Sequence, residues 1–170
     1  MKLTIRETAI FGMLGALMYA SKLIMEMLPN VHLLGVFIIS ITVVYRQKAL
    51  YPIYIFVLLT GLVGGFALWW VPYLYVWTVL WAAAMLLPKN MPKKLRPIIY
   101  MLLCGLHGIL FGTIYALGQA LLIGQSFKQM LAWIAAGFPF DLIHGVSNFF
   151  CGILICPIIS VLQYAERQKR

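Results

Sequence analysis

Charge is what this sequence has least of. Charged residues make up 10% of the 170-residue chain, and only four are acidic: Glu7, Glu26, Asp141 and Glu166. A soluble domain of this length needs a polar, charged surface, and these residues are too few to make one. So few acids also leave little for phosphoryl chemistry. Cysteine is scarce too. Cys104, Cys151 and Cys156 each lie in an apolar stretch, with no CxxC or Cys/His spacing to hold zinc. They read as small packing residues, and neither a metal nor a cofactor is expected. No GxxxxGK[ST] loop occurs, so any ATPase would have to be another chain.

What the sequence does have is apolar bulk. Hydrophobic residues make up 64% of the chain, and the mean hydropathy is +0.97. This is the composition of an integral membrane protein, one domain over 1–170. Six apolar segments are expected at 6–26, 31–45, 49–68, 72–88, 98–121 and 139–164. Most approach the ~20 residues that a spanning helix needs; the second is short. The first resembles a signal peptide in its basic start and apolar run, but with five more segments behind it the better reading is a retained first helix.

The basic residues set the orientation. With the N-terminus in the cytoplasm, Lys2, Arg6, Arg46, Lys48, Lys89, Lys93, Lys94, Arg96, Arg167, Lys169 and Arg170 all lie inside. Only Lys22 and Lys128 of the 13 Lys and Arg residues lie outside. The positive-inside rule then predicts an all-α membrane protein with six transmembrane helices and both termini cytoplasmic. The net charge of +9 is thereby assigned to topology and anionic headgroups, not to a nucleic acid.

The outer side has a different character. One loop runs Glu26-Met27-Leu28-Pro29-Asn30-Val31-His32, a second Trp69-Trp70-Val71-Pro72-Tyr73, and a third spans about 122–138 with room for a short helix ended by Gly137 and Pro139. All five tryptophans fall in these loops or in the fourth segment. Two readings stand side by side: an interfacial aromatic belt, or a cavity that stacks a flat ligand.

The last segment begins Pro139-Phe140-Asp141-Leu142-Ile143-His144-Gly145-Val146-Ser147-Asn148. Asp141, His144 and Asn148 stand at i, i+3 and i+7 and share one helical face. An ionisable group at that depth is costly and should face protein, water or ligand. The alternative is local: a carboxylate in the first helical turn, suited to the helix dipole and paired with His144. The candidate ligand-facing set is Asp141, His144, Asn148, Trp69, Trp70, Tyr73, Trp77, Asn30, His32 and Gln119. His107, lying among glycines, reads instead as an interhelical hydrogen bond. In the first segment Gly12, Ala16 and Ala20 repeat every four residues, with Gly15 beside them. This ridge permits close helix contact, either within the chain or with a partner in the membrane.

Six helices, cytoplasmic ends, a small-residue ridge and polar residues confined to the outer half together resemble the S component of an energy-coupling factor transporter. The stretch Pro139–Phe149 is similar to the opening of the last helix in several S components. Gly12-xxx-Ala16 is similar to their AxxxA motif, with Gly for the first Ala. The resemblance covers essentially the whole chain. It implies a non-enzymatic, substrate-binding subunit in a prokaryotic cell membrane. Such a subunit captures a vitamin or related heterocycle and docks through Gly12, Ala16 and Ala20 on a transmembrane T component with two cytoplasmic ATPases. Two other readings compete with it. A proton-coupled carrier using Asp141 and His144 lacks an internal repeat and has a single membrane carboxylate. An intramembrane enzyme lacks a catalytic constellation.

Overall fold

The structure, a computed structural model, describes residues 3–168. Lys2, Lys169 and Arg170, assigned above to the inner side, lie outside the described residues. Seven α-helices follow in order: α1 (Ile5–Met25), α2 (Leu34–Tyr45), α3 (Leu50–Gly64), α4 (Tyr73–Leu86), α5 (Arg96–Ile123), α6 (Phe127–Cys151) and α7 (Ile155–Arg167). The described residues contain no strand. Helices are the economical solution for an apolar chain, because each satisfies its own backbone groups where no water can. α1 opens on a capping box: the Glu7 N–H donates to Thr4 Oγ1 at 3.2 Å, and the Thr4 N–H donates to the Glu7 carboxylate at 3.0 Å.

Among the described residues, five helical runs are long and apolar enough to cross a membrane: Ile5–Met25, Leu34–Gly64, Leu68–Leu86, Arg96–Ile123 and Phe127–Arg167. This is the build of a multi-pass membrane protein. The count differs from the six segments expected because α2 and α3 are joined by a 3-10 turn, Arg46–Ala49, with no loop between them. Within that run the backbone leaves helical geometry at Arg46, with φ 54° and ψ −119°.

The last segment also differs from expectation. It does not begin at Pro139. α6 starts at Phe127, runs through Pro139, tightens to a 3-10 turn at Gly152–Leu154 and continues as α7. The stretch 122–138, expected to be an outer loop with room for a short helix ended by Gly137 and Pro139, is therefore mostly helix, and that helix continues past both residues. Its start is set by a second capping box, in which Ser126 accepts from the Gln129 N–H and the Gln129 side chain accepts from the Ser126 N–H. Proline removes one helical hydrogen bond, but leaving the helix in an apolar medium would strand several more.

Packing relies on close backbone approach rather than on apolar burial, which lipid offers equally well. α5 and α6 form the most extensive helix pair. At their crossing, a Cβ on Gly108 would stand 2.8 Å from Gly145 Cα, and one on Gly145 would overlap Ile109. α1 packs on α3, where Gly15 faces Pro52 and Ile55. α2 is the central helix: Val36, Ile38, Ile39 and Ile41 are fully buried, and it touches α4, α5 and α7. Large apolar side chains on the outside, such as Leu17, Leu62, Leu102, Leu106 and Val161, are exposed, as a lipid-facing surface requires.

The two ends of the bundle are unlike. At one end Lys48 Nζ pairs with Glu7 at 2.6 Å, and Arg46 Nη2 donates to the Met85 carbonyl at 2.7 Å. At the other end the 26–33 and 65–72 connections meet α5 and α6: Ser147 Oγ lies 2.9 Å from the Asn30 carbonyl, and the Tyr115 hydroxyl donates to the Trp69 carbonyl at 2.7 Å. Lys22 and Glu26 form an ion pair at this second end.

Candidate functional site

A cleft of about 270 Å³ opens at the aromatic end. It lies between α5, α6 and the 26–33 connection, and its lining includes Asn30, His32, Phe111, Tyr115, Trp133, Asp141 and His144. Its key group is Asp141, only 7% exposed. The Gly112 N–H on α5 donates to Asp141 Oδ1 at 3.0 Å. A Cβ on Gly112 would overlap the carboxylate, so a larger residue there would push Asp141 out of this position. This geometry disposes of the local alternative. Asp141 lies deep inside α6, far from the helix start at Phe127, and its partner is on another helix.

His144, one turn further along α6, is 4% exposed. Its ring meets His32 edge-on with centroids 4.3 Å apart, and Phe111 at 5.1 Å. His32 lies outside the helical runs, and burial holds its pKa down at about 4, with the positive charge of Lys22 adding to the effect. It is therefore neutral near pH 7. Its Nδ1 is buried without a protein partner. Phe111 joins the groups: its ring lies 5.4 Å from Trp77 and stacks with Tyr115 at 6.1 Å. A carboxylate, a neutral imidazole nitrogen and several ring faces can hold a flat solute that donates hydrogen bonds or carries positive charge. No group of three or more His, Cys, Asp or Glu side chains suited to a metal comes together among the described residues.

Four of the expected residues meet here: Asp141, His144, Asn30 and His32. The others do not line this cleft. Asn148 shares the Asp141 face of α6 but is buried at 2% exposure against Gly108 and Gly35. Trp77 is a core residue, packed on Phe56, Tyr73, His107 and Phe111. Trp70 is tied by its indole N–H to the Val57 carbonyl at 2.8 Å. Trp69 and Tyr73 pack edge-on at 5.8 Å as the next layer behind Trp77. Gln119 is buried one turn beyond Tyr115. Indole and phenol groups close to a helical core are drawn inward by their large apolar area and by nearby carbonyls. His107 is the interhelical link expected, its Nε2–H reaching the Val76 carbonyl at 3.1 Å.

Sequence reasoning did not select Phe111, Tyr115, Gly112 or Trp133. Spacing was the available signal: Phe111 and Tyr115 follow His107 at intervals of four on α5. On α1 the ridge is open. A Cβ on Gly12 would meet nothing within 4 Å, and Ala16 and Ala20 are exposed. The packed face of α1 is instead Phe11, Gly15, Met18 and Ser21. No protein family, curated protein or solved structure matches this chain.

Proposed function

We propose that this chain is the substrate-capturing S component of an energy-coupling factor importer, taking a small flat solute of the vitamin class from outside the cell. One observation carries the reading: two unlike surfaces on one small helical bundle. A buried carboxylate sits in an aromatic cleft between α5 and α6, while a ridge of Gly12, Ala16 and Ala20 stands open along α1. The cleft suits capture. The ridge suits docking on a transmembrane T component, with two ATPase subunits supplying the nucleotide chemistry that this chain lacks. The subunit itself performs no bond-making step.

The break at Arg46 supports reading Leu34–Gly64 as two crossings, hence six in all. Arg46, Lys48, Lys89, Lys93, Lys94 and Arg96 then lie on the cytoplasmic side with both termini, and the cleft faces outward in a prokaryotic cell membrane. The test has two stages. Mass spectrometry of small molecules that co-purify with the full chain identifies the solute. Uptake of that solute into vesicles is then measured with and without the T component and ATPases. ATP-dependent uptake that needs the other subunits is expected. Uptake by this chain alone, driven by a proton gradient, would sink the proposal.

A further inference from the structure

The opposite end of the bundle holds a larger cleft, of about 490 Å³, that the proposed capture function does not use. Three cations line it: Arg46 at the end of α2, Lys89 in the α4–α5 connection and Arg96 at the start of α5. Among the described residues, no carboxylate lines it. Tyr100, Ser160 and Gln163 add hydroxyl and amide groups, and Val43, Leu87 and Ile159 add an apolar wall. The nearest acid along α7, Glu166, is engaged with Tyr45.

Two of the cations are held in place. Arg46 donates through Nη2 to the Met85 carbonyl at 2.7 Å, and its own carbonyl accepts from Trp81 Nε1 at 3.1 Å. Its φ of 54° and ψ of −119° match the first central position of a type II′ turn, which normally takes glycine. A non-glycine residue there carries backbone strain, and such strain clusters at ligand clamps and other functional sites. Arg96 donates through Nε to the Met91 carbonyl at 2.9 Å, which leaves the other guanidinium N–H groups for a ligand. A planar guanidinium fork matches phosphate oxygens, and fixing it beforehand reduces what binding must order.

We propose that this cleft binds a phosphate ester, either the headgroup of an anionic phospholipid or a soluble phosphorylated solute. The cations hold the phosphate, the hydroxyl and amide groups complete its hydrogen bonds, and the apolar wall receives the carbon that the ester carries. Basic pockets between transmembrane helices are a recurrent setting for such headgroups.

The test uses the full chain in neutral detergent, with phosphatidylglycerol and phosphatidylcholine as probes and native mass spectrometry as the readout. The wild type is expected to retain phosphatidylglycerol over phosphatidylcholine. Lys89→Gln with Arg96→Gln should lower that retention by roughly tenfold or more. Lys93→Gln with Lys94→Gln removes equal charge from the same connection outside the cleft, and should change it little. Should the first pair fail to fold, Ser160→Phe blocks the cleft from α7 with no change of charge, and the same loss is expected. Displacement of the lipid by glycerol 1-phosphate would support the proposal with a soluble ester as the ligand; resistance to displacement would support it with the lipid. Equal retention of the two lipids by the wild type, or equal loss in the two charge-matched pairs, would overturn it.

Discussion

Small residues are used in opposite ways on two helical faces of this molecule. Along the α5–α6 seam, Gly105, Gly108 and Gly145 bring the two backbones into contact. Along α1, Gly12, Ala16 and Ala20 are just as small, yet Ala16 and Ala20 are exposed and a Cβ on Gly12 would meet nothing within 4 Å. The same pattern in a sequence therefore marks either an internal weld or an open landing strip, and only the neighbours tell which. The seam also carries polar groups at its aromatic end, where Gly112 admits the Asp141 carboxylate. The α1 ridge carries none.

The largest effect should come from breaking the seam. Gly108→Leu places side-chain atoms against the Gly145 backbone, which cannot yield as a flexible side chain would. A loss of about 3 kcal/mol is expected, read as a lower Tm in detergent or as failure to purify a monodisperse protein. A Tm equal to the wild type would mean that the two helices are not in contact.

Next is the group that closes the seam's aromatic end. His32 has a folded pKa of about 4, below its ordinary 6.5. The unfolded chain therefore binds the proton first, and stability falls as pH drops from about 6.5 to 4, whereas it is flat above that window. Full protonation should cost about 3 kcal/mol. His32→Gln should reduce the pH dependence of Tm across the window. An unchanged slope would assign the effect to another group.

Asp141→Asn should weaken binding of the co-purified solute by more than about tenfold, since losing a partner in a buried polar contact costs ~1–3 kcal/mol. Gly112→Ala should do the same by displacing the carboxylate. Asn148→Ala, which lies off the cleft, should lower Tm and leave affinity nearly unchanged. Calorimetric titration of the three variants separates these outcomes, and unaffected affinity in the first two would remove the cleft as the binding site.

The smallest effect on the isolated protein is expected at the ridge. Ala16→Leu or Gly12→Leu should change Tm and solute affinity little, within about 0.5 kcal/mol, because each side chain enters open space. Uptake in the presence of the T component and ATPases should nonetheless stop. A variant that loses stability and transport together would make the ridge internal packing, and the contrast between the two faces would collapse.

The helical build was legible because hydropathy reports the medium directly: long runs without charge have few other places to go. The internal role of His107 followed from its setting among glycines. Elsewhere the local signal misled. Gln125, Ser126, Lys128, Gly137 and Pro139 look like a loop with room for a short helix stopped at the proline, yet Ser126 and Gln129 cap a helix that passes through it. The site was half visible. Asp141 and His144 stood out as costly groups in an apolar run, but Phe111 and Tyr115 are ordinary in such a run. Their meaning depends on what α4, α6 and the 26–33 connection bring against them. The tryptophans misled in the other direction. A hydrogen-bonded indole such as Trp70 and a core ring such as Trp77 read the same in sequence as a ring that faces a ligand.

Pro139 bears on how such a cleft would shut. Trp133 stands on the far side of it from Asp141, on the first turns of α6. The two parts of the helix are joined through a residue that gives no backbone hydrogen bond and that commonly marks a bend. Were the cleft to close on a solute, the moving piece would be a preformed rod tilting at one joint, not a slack loop being ordered. Little conformational entropy would then be lost on closing. Pro139→Ala should stiffen that joint and slow association of the solute, while every side chain that lines the cleft stays as it is.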